Sequence, residues 1–139
     1  MKYWDSSALV SLLVEEAETA GRLDLLEGDP SIITWWGSQV ECASALNRLH
    51  RERAIDAVEL GQRLERLRFF AATWVEIAAR ERVRARALRL LRIHPLRSAD
   101  AMQLAAALVA CREDPATLDF VCSDARLLQA ARREGFPVA

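Results

Sequence analysis

Residues 99–111, Ala-Asp-Ala-Met-Gln-Leu-Ala-Ala-Ala-Leu-Val-Ala-Cys, are apolar around most of a helical circumference. A helix with so little polar surface is central and largely buried. Short β-favouring runs alternate with helical periods around it. Lys2-Tyr3-Trp4 precedes the capping series Asp5-Ser6-Ser7 and the apolar residues Leu9, Val10, Leu12 and Leu13, which predicts a strand, then a helix over about 7–16. A second helix is expected over 18–26, and Gly28-Asp29-Pro30 makes a turn. Ile32, Ile33 and Thr34 form a short strand ending at Trp35 and Trp36. From Ser38 the period turns helical, with Val40, Ala43, Leu46 and Leu49 marking one face and Cys42 beside it.

Further along, a helix is expected over 56–71. Residues 73–77 suit either a brief strand or an extended connection. Val83, Ala87, Leu90 and Leu91 define an amphipathic helix over 79–93 whose other face carries Arg80, Arg82, Arg86, Arg89 and Arg92; His94-Pro95 ends it. Ser98 is placed to cap the buried helix. Leu118 to Cys122 reads as a strand leading into Ser123-Asp124. A last helix runs over 125–134 to Gly135, before an edge segment at 136–138. This alternation predicts one domain over residues 1–139, a three-layer α/β/α arrangement with a central, mainly parallel sheet.

Composition narrows the function classes. No apolar run approaches the length of a membrane span, and Asp5 argues against a signal peptide, so a cytoplasmic protein without membrane attachment is expected. Cys42, Cys111 and Cys122 are scattered with no Cys-x-x-Cys pair, and each reads as a small apolar side chain. The net charge of −1 gives no bulk attraction to nucleic acid. However, Lys2 is the only lysine, so nearly all positive charge is Arg, the side chain suited to bidentate phosphate contacts.

Four acids occupy related places. Asp5 and Asp124 directly follow strands, Glu41 lies one turn into the helix after a strand, and Asp100 opens the buried helix. In a parallel sheet such positions converge at the strand C-termini. Carboxylates brought that close repel unless a cation neutralises them, and oxygen-only ligands favour Mg²⁺ or Mn²⁺. Ordinary helix capping and first-turn placement explain each acid taken singly. From the residues alone the two readings stand side by side.

The stretches Trp4-Asp5-Ser6-Ser7-Ala8-Leu9-Val10, Ser38-Gln39-Val40-Glu41-Cys42-Ala43-Ser44-Ala45-Leu46, Leu96-Arg97-Ser98-Ala99-Asp100-Ala101-Met102-Gln103-Leu104-Ala105-Ala106-Ala107 and Phe120-Val121-Cys122-Ser123-Asp124-Ala125-Arg126-Leu127 resemble, in order, the four blocks of the PIN domain, and more narrowly the VapC toxins of toxin–antitoxin modules. The resemblance implies a twisted parallel sheet between helices and a Mg²⁺- or Mn²⁺-dependent endoribonuclease. It also implies a homodimer and a cognate antitoxin lying across the active-site groove. Carried over, the acidic set is Asp5, Glu41, Asp100 and Asp124, all metal-binding or catalytic, with Asp5 and Asp100 as direct ligands. Ser6 and Ser123 match the small hydroxyl positions beside the first and last acids. With Arg97 and Arg126, nearest the acids in sequence, they make the expected substrate-binding set. Gln103 falls at a variable position, facing the site or the helix surface.

The implied reaction is in-line hydrolysis of RNA, with tRNA or rRNA as candidate substrates, leaving 5′-phosphate and 3′-hydroxyl ends. His50 and His94 match no block and read as structural. The Arg-rich helix face has three readings: RNA contact, pairing with neighbouring acids, or solvation. A phosphatase or receiver domain is disfavoured, because no lysine lies near the acids and position 7 is Ser where the phosphatase needs its second Asp. The alternative is a catalytically inactive PIN-like module that binds protein or RNA.

Overall fold

The computed structural model describes residues 1–139. Strands β1 (Lys2–Trp4), β2 (Ile32–Trp35), β3 (Val75–Ile77) and β4 (Phe120–Val121) form one sheet in the order β3-β2-β1-β4, every pair parallel. The undecided stretch at 73–77 is thus an edge strand, whereas the expected strand at 136–138 contributes only a single bridge from Val138 to Phe120. Seven helices connect and cover the sheet: α1 (Ser6–Ser11), α2 (Thr19–Gly28), α3 (Ser38–Arg51), α4 (Ala57–Ala71), α5 (Glu81–Ile93), α6 (Ser98–Ala110) and α7 (Ala125–Glu134).

Side-chain alternation along the strands divides the interior into two cores. Tyr3, Ile33 and Phe120 point to one face, where Ala87 and Leu90 of α5, Leu104 and Leu108 of α6 and Leu127 of α7 meet them. Trp4, Ile32 and Val121 point to the other, against Leu9 of α1, Leu46 of α3 and Leu67 of α4. The result is the α/β/α sandwich. Helix α6 is buried at Ala101 and from Gln103 through Leu108, as its composition demands. The three cysteines are free and buried.

Three local expectations are corrected. Helix α1 stops at Ser11 rather than near residue 16. Leu12, Leu13 and Val14 are all buried, and three consecutive residues spread too far around a helix to share one face. On α3 the buried stripe is Ser38, Cys42 and Leu46, and Val40 is 70% exposed. Finally, Ser98 is the first residue of α6 and Arg97 occupies the N-cap.

The Arg-rich face of α5 is in part ion-paired. Arg86 Nε donates to Glu113 at 2.8 Å and Arg89 Nη2 to Glu134 at 2.7 Å. Buried His94 brings Nε2 to 2.7 Å from the other Glu134 oxygen, which gives it a structural partner. Burial opposes ionisation of Glu134, but the hydrogen bonds and charges of His94 and Arg89 hold its carboxyl below the usual range. The same carboxylate therefore fastens the C-terminal end of α5 to that of α7. Removing it leaves buried His94 without this partner and frees Arg89, whose side chain is 41% exposed, and Glu134→Ala is expected to lower the unfolding free energy in urea by about 1–3 kcal/mol. A loss under about 0.5 kcal/mol, the level of an ordinary surface change, would show that the cluster does not hold these helices.

Candidate active site at the strand C-termini

Because β1 lies between β2 and β4, the connections leaving it and returning to it diverge to opposite sides. That topology opens a crevice beyond the C-terminal end of β1, the usual place for a ligand in an open parallel sheet. Asp5 stands there, 3% exposed, as the N-cap of α1. Its Oδ1 accepts from Ser7 Oγ at 2.8 Å and from the Ala8 amide at 3.2 Å, while Oδ2 accepts from the Ser7 amide at 3.2 Å. An ionised carboxylate has roughly four acceptor positions, so about one remains for a ligand. Burial outweighs these hydrogen bonds and pushes Asp5 up to about 6.

Glu41 enters from the first turn of α3, past the turn at Trp36-Gly37. A side chain on Gly37 would collide with the Trp35 indole, so glycine is required for that turn to fold so closely. Ser6 Oγ donates to Glu41 at 2.7 Å and Gln103 Nε2 at 3.2 Å. Burial raises Glu41 against those two bonds, and the charge of Asp100 raises it further. Gln103 is 1% exposed and faces inward, which answers the question of its orientation. Its amide also takes the Tyr3 hydroxyl at 2.8 Å and donates to Ser38 Oγ at 2.9 Å.

Asp100 sits in the first turn of α6 and accepts from the Arg97 amide at 3.4 Å. Burial and then the neighbouring Asp124 raise its pKa, while Arg97 and Arg126 oppose the rise. Asp124 is exposed and N-caps α7 through the Leu127 amide at 2.8 Å. These two acids and two arginines, with Ala125, line a cavity of about 360 Å³. A larger one of about 530 Å³ is lined by Ser6, Ser7, Glu41 and Ser123, among others. Ser123 of the larger cavity and Asp124 of the smaller are consecutive in the chain.

All eight residues singled out from sequence thus lie along one edge, but spread rather than converged. No three His, Cys, Asp or Glu side chains close around a point that would hold a cation by themselves. The donor set nevertheless suits a hydrated Mg²⁺ or Mn²⁺, which takes one or two carboxylates and fills its remaining positions with water. Asp5, Glu41 and Asp100 are all raised by burial, the condition a nearby cation relieves.

Several neighbours were not singled out from sequence. Glu16, Glu18 and Arg48 line the larger cavity, and Arg22, 9% exposed, donates to the Cys122 carbonyl at 2.7 Å. The signal for Arg22 is a charge placed between Thr19 and Leu26, on the same helix face as these core-directed positions.

The family described as the PIN domain matches residues 2–131. Among solved structures, a chain from a toxin–antitoxin complex of Klebsiella pneumoniae aligns with a TM-score of 0.66 and 18% identity, over 100% of this chain and 96% of that one. FitAcB from Neisseria gonorrhoeae gives a TM-score of 0.66 at 16% identity, over 99% of this chain and 96% of that one. No curated protein matches.

The elevated Asp5 carries a signed consequence for stability. Its folded pKa, about 6, lies above the ordinary 3.8, so the folded chain binds the proton more tightly than the unfolded one. Its stabilising contribution is full below the ordinary value and is lost as pH rises through about 6, amounting to about 3 kcal/mol. Glu41 and Asp100 act in the same direction. In EDTA the melting temperature is expected to fall between about pH 4 and pH 6.5, the range set by that shift, and Asp5→Asn is expected to flatten the fall while still capping α1. Differential scanning calorimetry across that range checks it; an unchanged slope in the Asn variant contradicts the burial assignment.

Proposed function

We propose that this chain, which belongs to the PIN-domain family, is a divalent-metal-dependent endoribonuclease acting as the toxin of a toxin–antitoxin module. PIN domains are generally nucleases. The observation that carries the reading is the alignment of Asp5, Glu41, Asp100 and Asp124 along the strand C-terminal edge of a chain matched by that family from residue 2 to residue 131. A partner antitoxin is supported by the shared fold with a chain from a toxin–antitoxin complex. Trp36, Val40 and Phe69, at 57%, 70% and 71% exposure, offer apolar surface to an antitoxin or a second copy. No helix is long and apolar enough to cross a membrane, and we place the toxin in the cytoplasm with its RNA.

Bound Mg²⁺ or Mn²⁺ supplies Lewis-acid stabilisation of phosphate charge and makes the attacking water more acidic. Asp5, Glu41, Asp100 and Asp124 are the residues to hold it. Asp5 contributes from a fixed orientation, and Asp100 and Asp124 from the more open cavity. Arg97 and Arg126, exposed beside them, suit the phosphodiester oxygens of tRNA or rRNA. Glu41, held by Ser6 and Gln103, is the residue to orient the attacking water, whose proton passes to bulk solvent. The water oxygen bonds to phosphorus, the bond from phosphorus to the 3′ oxygen breaks, and that oxygen leaves with a proton. The products carry 5′-phosphate and 3′-hydroxyl ends. No histidine takes part: His50 Nδ1 lies against the Ile55 carbonyl and His94 against Glu134.

Purified chain free of antitoxin is expected to cut RNA with Mn²⁺ or Mg²⁺, to stop in EDTA, and to lose at least ~100-fold in rate in Asp5→Asn. Gel analysis with end-group mapping checks all three. Equal cleavage by the Asn variant removes Asp5 from the site; binding without cleavage across tRNA and rRNA favours an inactive RNA-binding module.

A further inference from the structure

The connection between α1 and α2 holds contacts that none of these steps uses. Every side-chain hydrogen bond of the buried Arg22 runs through Nη2, which donates to the Cys122 carbonyl at 2.7 Å and lies 3.4 Å from Ser123 Oγ. Its Nε is buried without a partner. The nearest counter-charge is Glu18, whose carboxylate lies 3.6 Å from Nη2 on a side chain 53% exposed. Glu18 also accepts the Ser123 hydroxyl. A buried guanidinium with unused donors is an unbalanced positive site. Here it is met by a half-exposed carboxylate standing outside hydrogen-bond distance.

Carboxylate and phosphate oxygens are alternative partners for the same guanidinium and hydroxyl donors. Glu18 and Ser123 line the 530 Å³ cavity together with Glu41, and Ser123 directly precedes Asp124 in the chain. Arg22 lines a neighbouring cavity of about 340 Å³ that shares Ala17 and Glu18 with the larger one, so an RNA strand held at the acidic edge reaches Arg22 along the wall that Glu18 occupies.

We propose that Arg22 and Ser123 form a subsite for a backbone phosphate of RNA, and that Glu18 fills it in the free protein as a displaceable internal carboxylate. The proposal rests on the ribonuclease reading for the identity of its ligand. Glu18 lowers apparent affinity by the fraction of molecules in which it must first be displaced, so phosphates supported by further contacts along the groove are favoured.

The test measures binding in EDTA, with no chemistry involved. The probe is a short fluorescein-labelled 2′-O-methyl RNA, followed by anisotropy on the full chain. Glu18→Gln is expected to tighten binding about fivefold. Glu16→Gln removes the same charge from the same cavity, but Glu16 pairs with Ser11 Oγ at 3.1 Å, and it is expected to change binding less than about twofold. Combining Glu18→Gln with Arg22→Lys, which keeps the charge and loses the fork, abolishes the gain. The Arg22 Nε–Hε resonance is expected to shift on titration with the same RNA, a readout that a purely structural role does not produce. Equal tightening by the two Gln variants, a gain that survives Arg22→Lys, a silent Arg22 resonance or no binding by any variant overturns the subsite. Failure of metal-dependent cleavage with these binding results intact overturns the nuclease reading alone.

Discussion

Tyr3 reaches across the core to the Gln103 amide oxygen at 2.8 Å, and the nitrogen of the same amide donates to Ser38 and Glu41. Three elements are joined through one side chain: the central strand β1, the buried helix α6 and the N-terminus of α3. In so dry a setting each of these polar groups, left alone, would carry a desolvation penalty, so the network tolerates only one register of the three. Thr34 extends it, donating to the Trp4 carbonyl at 2.7 Å and standing 2.7 Å from Ser38 Oγ. The apolar cores make the sandwich adhere, while this polar seam determines how α3 is set against β1 and thereby where Glu41 points.

The same seam explains an electrostatic conflict at the sheet edge. Folding draws Asp5, Glu41 and Asp100 into partial or complete burial, which opposes ionisation. Helix capping and hydroxyl donors offset only part of that. By contrast, Glu134 is also substantially buried, yet His94 and Arg89 bring it below its ordinary range. One acid is satisfied by its own chain and three are not. That difference separates a structural carboxylate from the carboxylates proposed to hold a cation.

Much of this was legible in the sequence because it depends on short-range order. The bounds of α7, its stop at Gly135 with φ 98°, and the strand-acid-helix junctions at Asp5 and Asp124 follow from local chemistry. Helix α6 announced its burial by lacking a polar face. Tertiary choices were less accessible. The buried stripe of α3 shares Leu46 with the expected face but passes through Ser38 and Cys42 instead of Val40, because Ser38 and Cys42 answer partners on other elements. Similarly, the arginines of α5 gave no sign that Glu113 and Glu134, far along the chain, would meet them. Gln103 stayed ambiguous for a related reason: a lone amide in an apolar helix reads equally as a surface residue or as a buried connector. The four acids were recognisable as neighbours, but nothing in the sequence showed that Glu41 would line one cavity, Asp100 and Asp124 another, and buried Asp5 neither.

Asp5 and Asp124 both cap helices, yet they are held very differently. Three donors from Ser7 and Ala8 grip both oxygens of Asp5, whereas Asp124 is exposed and receives one amide from its own helix. The edge therefore has a stiff end and a compliant end. Orientational freedom at Asp5 is surrendered once, when the chain folds, and an arriving ligand does not lose it again. Adaptation to ligands of different shape falls instead to the α6–α7 side, so variation there can retune what is accepted without disturbing the carboxylate at the centre.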